Sequence, residues 1–249
     1  MKIMSAALLL LVLSILAAAQ NATDRDLAGL KDKVKDVKVR WQEYGPDGKP
    51  IGKPKPGSET TYDDEGNTLL TRSFRDGREY QTTFFLHKGK RVSNRKITPE
   101  PPPPNLPGKV IRIPEKYKGP YESAYKYEYD KAGRIVEIIV KNMADGYTSS
   151  TKYAYDDLGR IASEKFVGFL GGIETSESYK YDSSGTLIEM EARSRLRTEG
   201  SIKTPSVTQR YSDHAFDKKG NWIKQTVATL NKNGEVEKLS VGVREITYY

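Results

Sequence analysis

The sequence feature that most constrains the fold is a five-residue pattern, Tyr-Asp-x-x-Gly, that recurs at a fixed interval. It occupies residues 129–133, 155–159 and 181–185, so consecutive copies are 26 residues apart. Self-similarity at such a period indicates a chain built by repetition of one supersecondary unit. The unit therefore has to be identified before any single residue is interpreted.

The turn chemistry of the pattern predicts what this unit is. An Asp at the first turn position can accept a backbone N–H two residues on, and a Gly at the fourth adopts the left-handed conformation that follows a type I turn. Alternating aromatic residues precede the first turn at 125–129, and a β-branched run follows it at 135–140. Each unit is therefore predicted to be a β-hairpin plus its return strand. The residues with this structural role are Asp130, Gly133, Asp156, Gly159, Asp182 and Gly185.

Weaker copies of the pattern extend the repeat towards both ends of the chain. They begin at Tyr62-Asp63 and at Phe216-Asp217, and shorter turn signals lie between them. One strand on each side of every turn gives roughly twelve to sixteen strands. Only residues 24–35, a short charged stretch, show any helical periodicity. We therefore expect an all-β fold, an antiparallel meander of repeated hairpins that forms an extended, twisted or curved sheet.

Two segments without strand character divide the chain. Lys2, an apolar run at 6–16 and three alanines at 17–19 are typical of a signal peptide, which we assign to residues 1–19. Dense prolines at 99–108 cannot take part in a sheet ladder and predict a connector. The connector separates an N-terminal β-hairpin region, 20–98, from a repeat region, 109–249. We expect a secreted or periplasmic bacterial protein that does not span the membrane once the signal peptide is cleaved.

The strongest repeats carry a family resemblance. Residues 129–135 and 155–161 both read Tyr-Asp-x-x-Gly-Arg-Ile, which resembles the Tyr-Asp-x-x-Gly-Arg-Leu core of the YD repeat in bacterial rearrangement-hotspot (RHS) and wall-associated proteins. The resemblance is good over 125–190 and moderate at Tyr62 and Phe216. It implies a β-sheet ribbon, which in long arrays of that family winds into a hollow shell around a toxic C-terminal domain. This array is too short for a shell and ends in another strand at 241–249, so we do not expect toxin delivery.

The residue inventory argues against catalysis. The chain has no cysteine and only two histidines, His87 and His214, and it contains no recognisable nucleophile, metal-protease or phosphate-loop motif. Asp213 and His214 are adjacent, but consecutive strand residues point to opposite faces of a sheet. We therefore predict that the protein is not an enzyme and has no catalytic, cofactor-binding or metal site.

The first candidate binding surface is a set of tyrosines in the same register of successive units. Flat amphipathic rings in such rows can stack on sugars or peptides. Alternatively, they pack against Ile135, Ile161 and Leu187 on the intervening strands, as cross-strand aromatic residues commonly do. The set comprises Tyr127, Tyr129, Tyr153, Tyr155, Tyr179 and Tyr181.

The second candidate surface is a basic stripe that holds most of the formal net charge of +8. It could attract phosphate or sulfate polymers or anionic lipid headgroups. Alternatively, it is a solvated strand face that keeps sheet edges from pairing with neighbours. Its predicted contact residues are Arg72, Arg75, Arg78, Lys88, Lys90 and Arg91.

These observations predict an extracytoplasmic, non-catalytic binding or scaffold protein that contacts a cell-surface polymer or another protein, with no nucleic-acid partner. The alternative is a periplasmic carrier of a lipid or other hydrophobic ligand, or an envelope-assembly factor, in which a curved sheet encloses the ligand. A dry apolar concavity of several hundred cubic ångströms would favour the carrier, whereas a flat ribbon with exposed tyrosines would exclude it.

Overall fold

A computed structural model describes residues 22–85, 123–143, 145–168, 172–196, 202–203 and 206–249. The predicted signal peptide and the proline-rich connector lie outside the described residues. The helix α1 is a single turn, Asp24–Leu27. No helix in these ranges is long and apolar enough to cross a membrane.

The remaining elements are β-strands, which confirms the predicted all-β antiparallel meander. The β-branched and aromatic runs identified in the sequence form strands because their side chains pack well on a half-buried pleated surface. The strands are β1 (Val34–Tyr44), β2 (Pro50–Tyr62), β3 (Thr68–Arg75), β4 (Arg78–Phe84), β5 (Ser123–Tyr129), β6 (Ile135–Asn142), β7 (Thr148–Tyr155), β8 (Ile161–Val167), β9 (Ile173–Tyr181), β10 (Leu187–Leu196), β11 (Ile202–Lys203), β12 (Val207–Phe216), β13 (Trp222–Leu230) and β14 (Val236–Tyr248).

All fourteen strands belong to one sheet. Its order is β4-β3-β2-β1-β14-β13-β12-β10-β9-β8-β7-β6-β5, and β11 pairs with β10 beside this path. The first strand pairs with both β2 and β14, so the N-terminal hairpins and the repeats share a single ladder. The strands β4 and β5 form the two edges, and the sheet is not closed between them. It is nevertheless strongly curved, because the ring centroids of Phe85 after β4 and Tyr125 on β5 are 5.8 Å apart.

The turns that follow the Tyr-Asp or Phe-Asp pairs all lie at one end of the sheet, which we call the turn end. They do so because alternate turns of a meander are at opposite ends. In the turn after β5, the amides of Ala132 and Arg134 donate to the Asp130 carboxylate at 2.9 Å. Gly133 has a φ of 77°, the left-handed conformation that suits glycine. The turns at 156–160 and 182–186 repeat these carboxylate bonds.

Residues 22–33, which we call the floor segment, cross the turn end of the sheet. The Ala22 amide donates to the Gly133 carbonyl at 2.8 Å. On a distant hairpin, the Lys31 amide donates to Asn221 Oδ1 at 2.7 Å, and Asn221 Nδ2 donates back to the Lys31 carbonyl at 2.9 Å. The floor segment therefore blocks this end of the concave face.

The hydrophobic core is small and lies directly beneath the floor segment. Its buried members are Leu30, Val34, Val37 and Tyr62, against which side chains from β1 and β14 pack. Further along the concave face, no second layer formed by residues of the described ranges covers the curved sheet. This leaves a cavity.

Candidate functional site

The concave face of the sheet encloses a cavity of about 1240 Å³. The floor segment lines one end of it, and side chains from β1–β3, β7–β10 and β12–β14 line its walls. Both tryptophans of the chain face this space. The aromatic residues of the lining are Trp41, Phe74, Tyr153, Tyr155, Tyr179, Tyr181, Tyr211, Phe216 and Trp222.

The structure places four of the six predicted tyrosines in this lining. Tyr127 and Tyr129, on the edge strand β5, are half-buried but do not line the cavity. The tyrosines nearest the turns stand directly opposite an aliphatic residue on the next strand. These pairs are Tyr129 with Ile135, Tyr155 with Ile161, and Tyr181 with Leu187.

Tyr155 is also held by the preceding turn. Its hydroxyl donates to the Ile135 carbonyl at 2.6 Å, and the Arg134 guanidinium lies over its ring, 4.6 Å from the centroid. Arg134 in turn forms a 2.7 Å ion pair with Asp130. We call this arrangement the Asp–Arg–Tyr link, because it joins the turn of one hairpin to the last strand residue before the next turn.

The link occurs a second time and then stops. Asp156, Arg160 and Tyr181 repeat the same ion pair and the same 4.6 Å stacking distance. In the next unit, the arginine position holds Thr186 and the tyrosine position holds Phe216, so neither the cation nor the hydroxyl is available. The rings of the first two links therefore have a structural role as well as a place in the cavity wall.

A second group of phenols lies deeper on the same wall, beside two carboxylates. Burial raises the pKa values of Tyr153, Tyr179 and Tyr211. Glu164 and Glu177 stand opposite each other on β8 and β9, and Tyr179 donates to Glu177 at 2.6 Å. Burial, together with the charge of Glu177, raises the pKa of Glu164. This part of the cavity is consequently a poor environment for further negative charge.

The wall formed by β1, β13 and β14 holds both tryptophans and an arginine that stacks on one of them. Trp41 lies flat against the sheet over Gly57 and Gly242, where a Cβ atom would come within 2.6 Å and 2.7 Å of its ring. The Arg244 guanidinium lies 3.6 Å from the centroid of the Trp222 ring. Its Nε is buried and has no hydrogen-bond partner among the described residues. Burial lowers the pKa of Arg244 to about 10, so the side chain is still positively charged at neutral pH.

Ion pairs lie at the end of the cavity remote from the floor segment. Lys238 contacts Glu43 at 2.8 Å, and Lys55 contacts Asp76 at 3.6 Å. All four side chains line the cavity and are at least 41% exposed. This end is therefore polar and accessible to water.

The basic stripe is only partly described. Arg72, Arg75 and Arg78 are exposed on the edge hairpin of β3 and β4, and Arg72 forms a 3.5 Å ion pair with Glu59. Of the three, only Arg75 reaches the cavity lining. Lys88, Lys90 and Arg91 lie outside the described residues.

The cavity wall also holds Trp41, Trp222 and Arg244, which no sequence pattern indicated as functional. The available signal was Gly57 and Gly242, because a glycine inside a strand often marks a site where another group approaches closely. Within the described ranges, no group of three or more His, Cys, Asp or Glu side chains is arranged to hold a metal ion.

Comparisons with known proteins find only distant structural similarities. No protein-family model matches the chain, and no curated protein matches it. Among solved structures, a porin-like protein from Bacteroides uniformis matches with a TM-score of 0.43 and 9% identity, over 87% of this chain and 99% of that one. A porin-like protein from Bacteroides vulgatus matches with a TM-score of 0.39 and 12% identity, over 88% and 99%.

A third structure is a domain proposed to be an outer membrane lipoprotein-sorting protein of Vibrio parahaemolyticus. Its TM-score is 0.21, with 11% identity over 86% of this chain and 85% of that one. All three TM-scores are below 0.5, so the functional argument rests on the geometry of this chain.

Proposed function

We propose that the protein binds a hydrophobic or amphiphilic small molecule in its concave cavity, as an extracytoplasmic carrier or envelope-assembly factor. The observation that supports this most directly is the cavity itself. Its volume of about 1240 Å³ exceeds the roughly 300–1,000 Å³ of typical ligand pockets. The extracytoplasmic location rests on the predicted signal peptide.

The described side chains do not fill this space. Protein interiors are normally packed as densely as organic crystals, and apolar surface left facing water forfeits the free energy of burial. Here rings from six strands converge on a volume that no second layer of described residues occupies. A ligand with an apolar body would restore the missing contacts and remove the rings from water.

The position of the tyrosines favours a small ligand over an extended polymer. Four of the six tyrosines predicted as a binding surface face inward, where an extended polymer cannot lie along the rows. The described arginines of the basic stripe are exposed on the edge hairpin of β3 and β4, and only Arg75 among them reaches the cavity lining. The polymer-binding alternative therefore lacks a continuous surface in the described part of the chain.

The test is a titration with N-phenyl-1-naphthylamine, an uncharged apolar dye. Binding should saturate, and it should change the intrinsic fluorescence because both tryptophans line the cavity. Tyr211→Ala should weaken the dye affinity about tenfold, since a lost aromatic contact costs about 1–1.5 kcal/mol.

The matched control is Arg210→Ala, one residue earlier on β12. Arg210 points to the convex face, where it contacts Glu189 at 3.3 Å and is 61% exposed. This variant should bind the dye like the unmodified protein. Absence of saturable dye binding, or equal losses in the two variants, would contradict the proposed function.

A further inference from the structure

The partly buried charge of Arg244 is the feature of the cavity that the proposed function leaves unexplained. Arg244 lies on β14, lines the cavity and stacks on Trp222. It forms no ion pair with any described carboxylate, and its buried Nε has no hydrogen-bond partner. A buried cation normally has an anionic partner, because removing it from water is otherwise costly.

None of the described residues supplies that partner. The group that most influences Arg244 after burial is the Tyr62 phenol. Burial raises the pKa of Tyr62 to about 12, so this phenol is neutral at physiological pH. Glu164 and Glu177 also belong to the cavity region, but burial and the charge of Glu177 dominate the environment of Glu164, and Arg244 does not contribute. Within the described part of the chain, the cation therefore faces the cavity without a carboxylate as counter-ion.

Two other arginines of the cavity wall show the contrast. Arg134 and Arg160 also line the cavity and also lie over an aromatic ring. Each of these two forms a 2.7 Å ion pair with the aspartate of its own turn. Stacking on a ring thus accompanies charge neutralisation at these two sites, whereas no described carboxylate pairs with the stacked guanidinium of Arg244.

We propose that Arg244 binds the anionic headgroup of an amphiphile whose apolar part lies against the aromatic wall of the cavity. The inference rests on the proposed function and specifies its ligand class. The planar guanidinium presents several N–H donors in a fixed fork, which suits a carboxylate or phosphate. Trp222 covers one face of the guanidinium, so the headgroup approaches the edge that carries the donors. The two glutamates on the far wall disfavour an anion there, which orients the ligand.

The experiment compares oleate with oleyl alcohol, two probes that share an acyl chain and differ in headgroup charge. Intrinsic tryptophan fluorescence of the full mature chain reports binding of both. We expect oleate to bind about 10- to 100-fold more tightly than oleyl alcohol, the ratio typical of a hydrogen-bonded charge. Arg244→Met should abolish this preference while leaving the affinity for oleyl alcohol unchanged, and Arg244→Lys should retain part of it.

The control variant is Arg40→Gln, which removes an arginine from the convex face of the adjacent strand. Arg40 is 56% exposed and lies 3.7 Å from Glu245, the residue after Arg244. This variant should keep the full preference for oleate. Oleoyl lysophosphatidate, measured in parallel, distinguishes the two headgroups, because the tighter of the two anionic probes identifies carboxylate or phosphate as the natural group.

The outcomes separate the two proposals. Binding of neither oleate nor oleyl alcohol would overturn the proposed function. Equal binding of both, or an oleate preference that survives Arg244→Met, would overturn the headgroup assignment alone. If Arg244→Met does not fold, the unmodified protein alone tests the headgroup assignment. An affinity for oleate no higher than the affinity for oleyl alcohol would contradict an anion site.

Discussion

Removal of one hydroxyl tests the Asp–Arg–Tyr link. The ladder between β6 and β7 begins at Glu137, so the Ile135 carbonyl lies beyond its last backbone pair. The Tyr155 hydroxyl donates to that carbonyl at 2.6 Å, and Ile135 is completely buried. Tyr155→Phe keeps the ring and removes only this hydrogen bond. A buried acceptor that loses its donor costs about 1–3 kcal/mol.

The assay is thermal unfolding followed by circular dichroism. For a domain of this size, each kcal/mol lowers Tm by about 2–4 °C, so Tyr155→Phe should lower it by at least about 2 °C. Tyr147→Phe is the control, because the Tyr147 side chain is 40% exposed outside the link, and its Tm should stay near that of the unmodified protein. A Tyr155→Phe variant that melts with the unmodified protein would refute the structural role of the hydroxyl.

Three further predictions concern the turns, the packing of Trp41 on glycines and the floor segment. Backbone hydrogen bonds lower the pKa of the Asp156 carboxyl below its usual value of 3.8. The ionised carboxylate therefore stabilises the fold above pH 3.8, and this stabilisation is lost as the pH falls through the pKa that Asp156 has in the folded protein. Tm should therefore fall on acidification below about pH 4, and less so in Asp156→Asn. Gly242→Ala should destabilise by about 1–3 kcal/mol and shift the tryptophan emission, because its Cβ would lie 2.7 Å from the Trp41 ring. Asn221→Ala should cost about 1–3 kcal/mol and accelerate amide hydrogen exchange at Lys31, since it leaves both backbone groups of Lys31 without their partner.

The local part of the fold was accessible from the sequence. A turn such as 130–134 is specified by residues within it, because the Asp130 carboxylate binds amides two and four positions ahead and Gly133 supplies the left-handed backbone. The alternation of side chains between the two faces of a strand is likewise specified by residues close together in sequence. For this reason the meander and the position of its turns could be predicted without any knowledge of distant contacts.

The cavity could not be predicted in the same way, because it depends on pairing between the two ends of the chain. The β1–β14 ladder brings Trp41 opposite Gly242, residues that no local pattern connects. No feature of the sequence distinguishes Arg244 from the other charged residues of the strands. Its burial becomes evident only when the curvature of the sheet and the position of Trp222 are known. The register of the repeats identified the four inward-facing tyrosines as neighbours on one face of the sheet. Whether that face is concave or convex depends on the curvature of the sheet.

The floor segment connects the two unpaired edges of the sheet. Its Ala22 amide binds the turn that follows edge strand β5, and its Arg25 amide binds the Gly66 carbonyl in the turn between β2 and β3, one strand in from edge strand β4. A backbone bridge thus spans the gap that strand pairing leaves open, and a further contact at Asn221 fixes it from the side. The residues synthesised early must therefore wait for residue 221 before they can dock. We therefore expect closure of the cavity at this end to be late in folding, because it includes a contact that spans 190 residues.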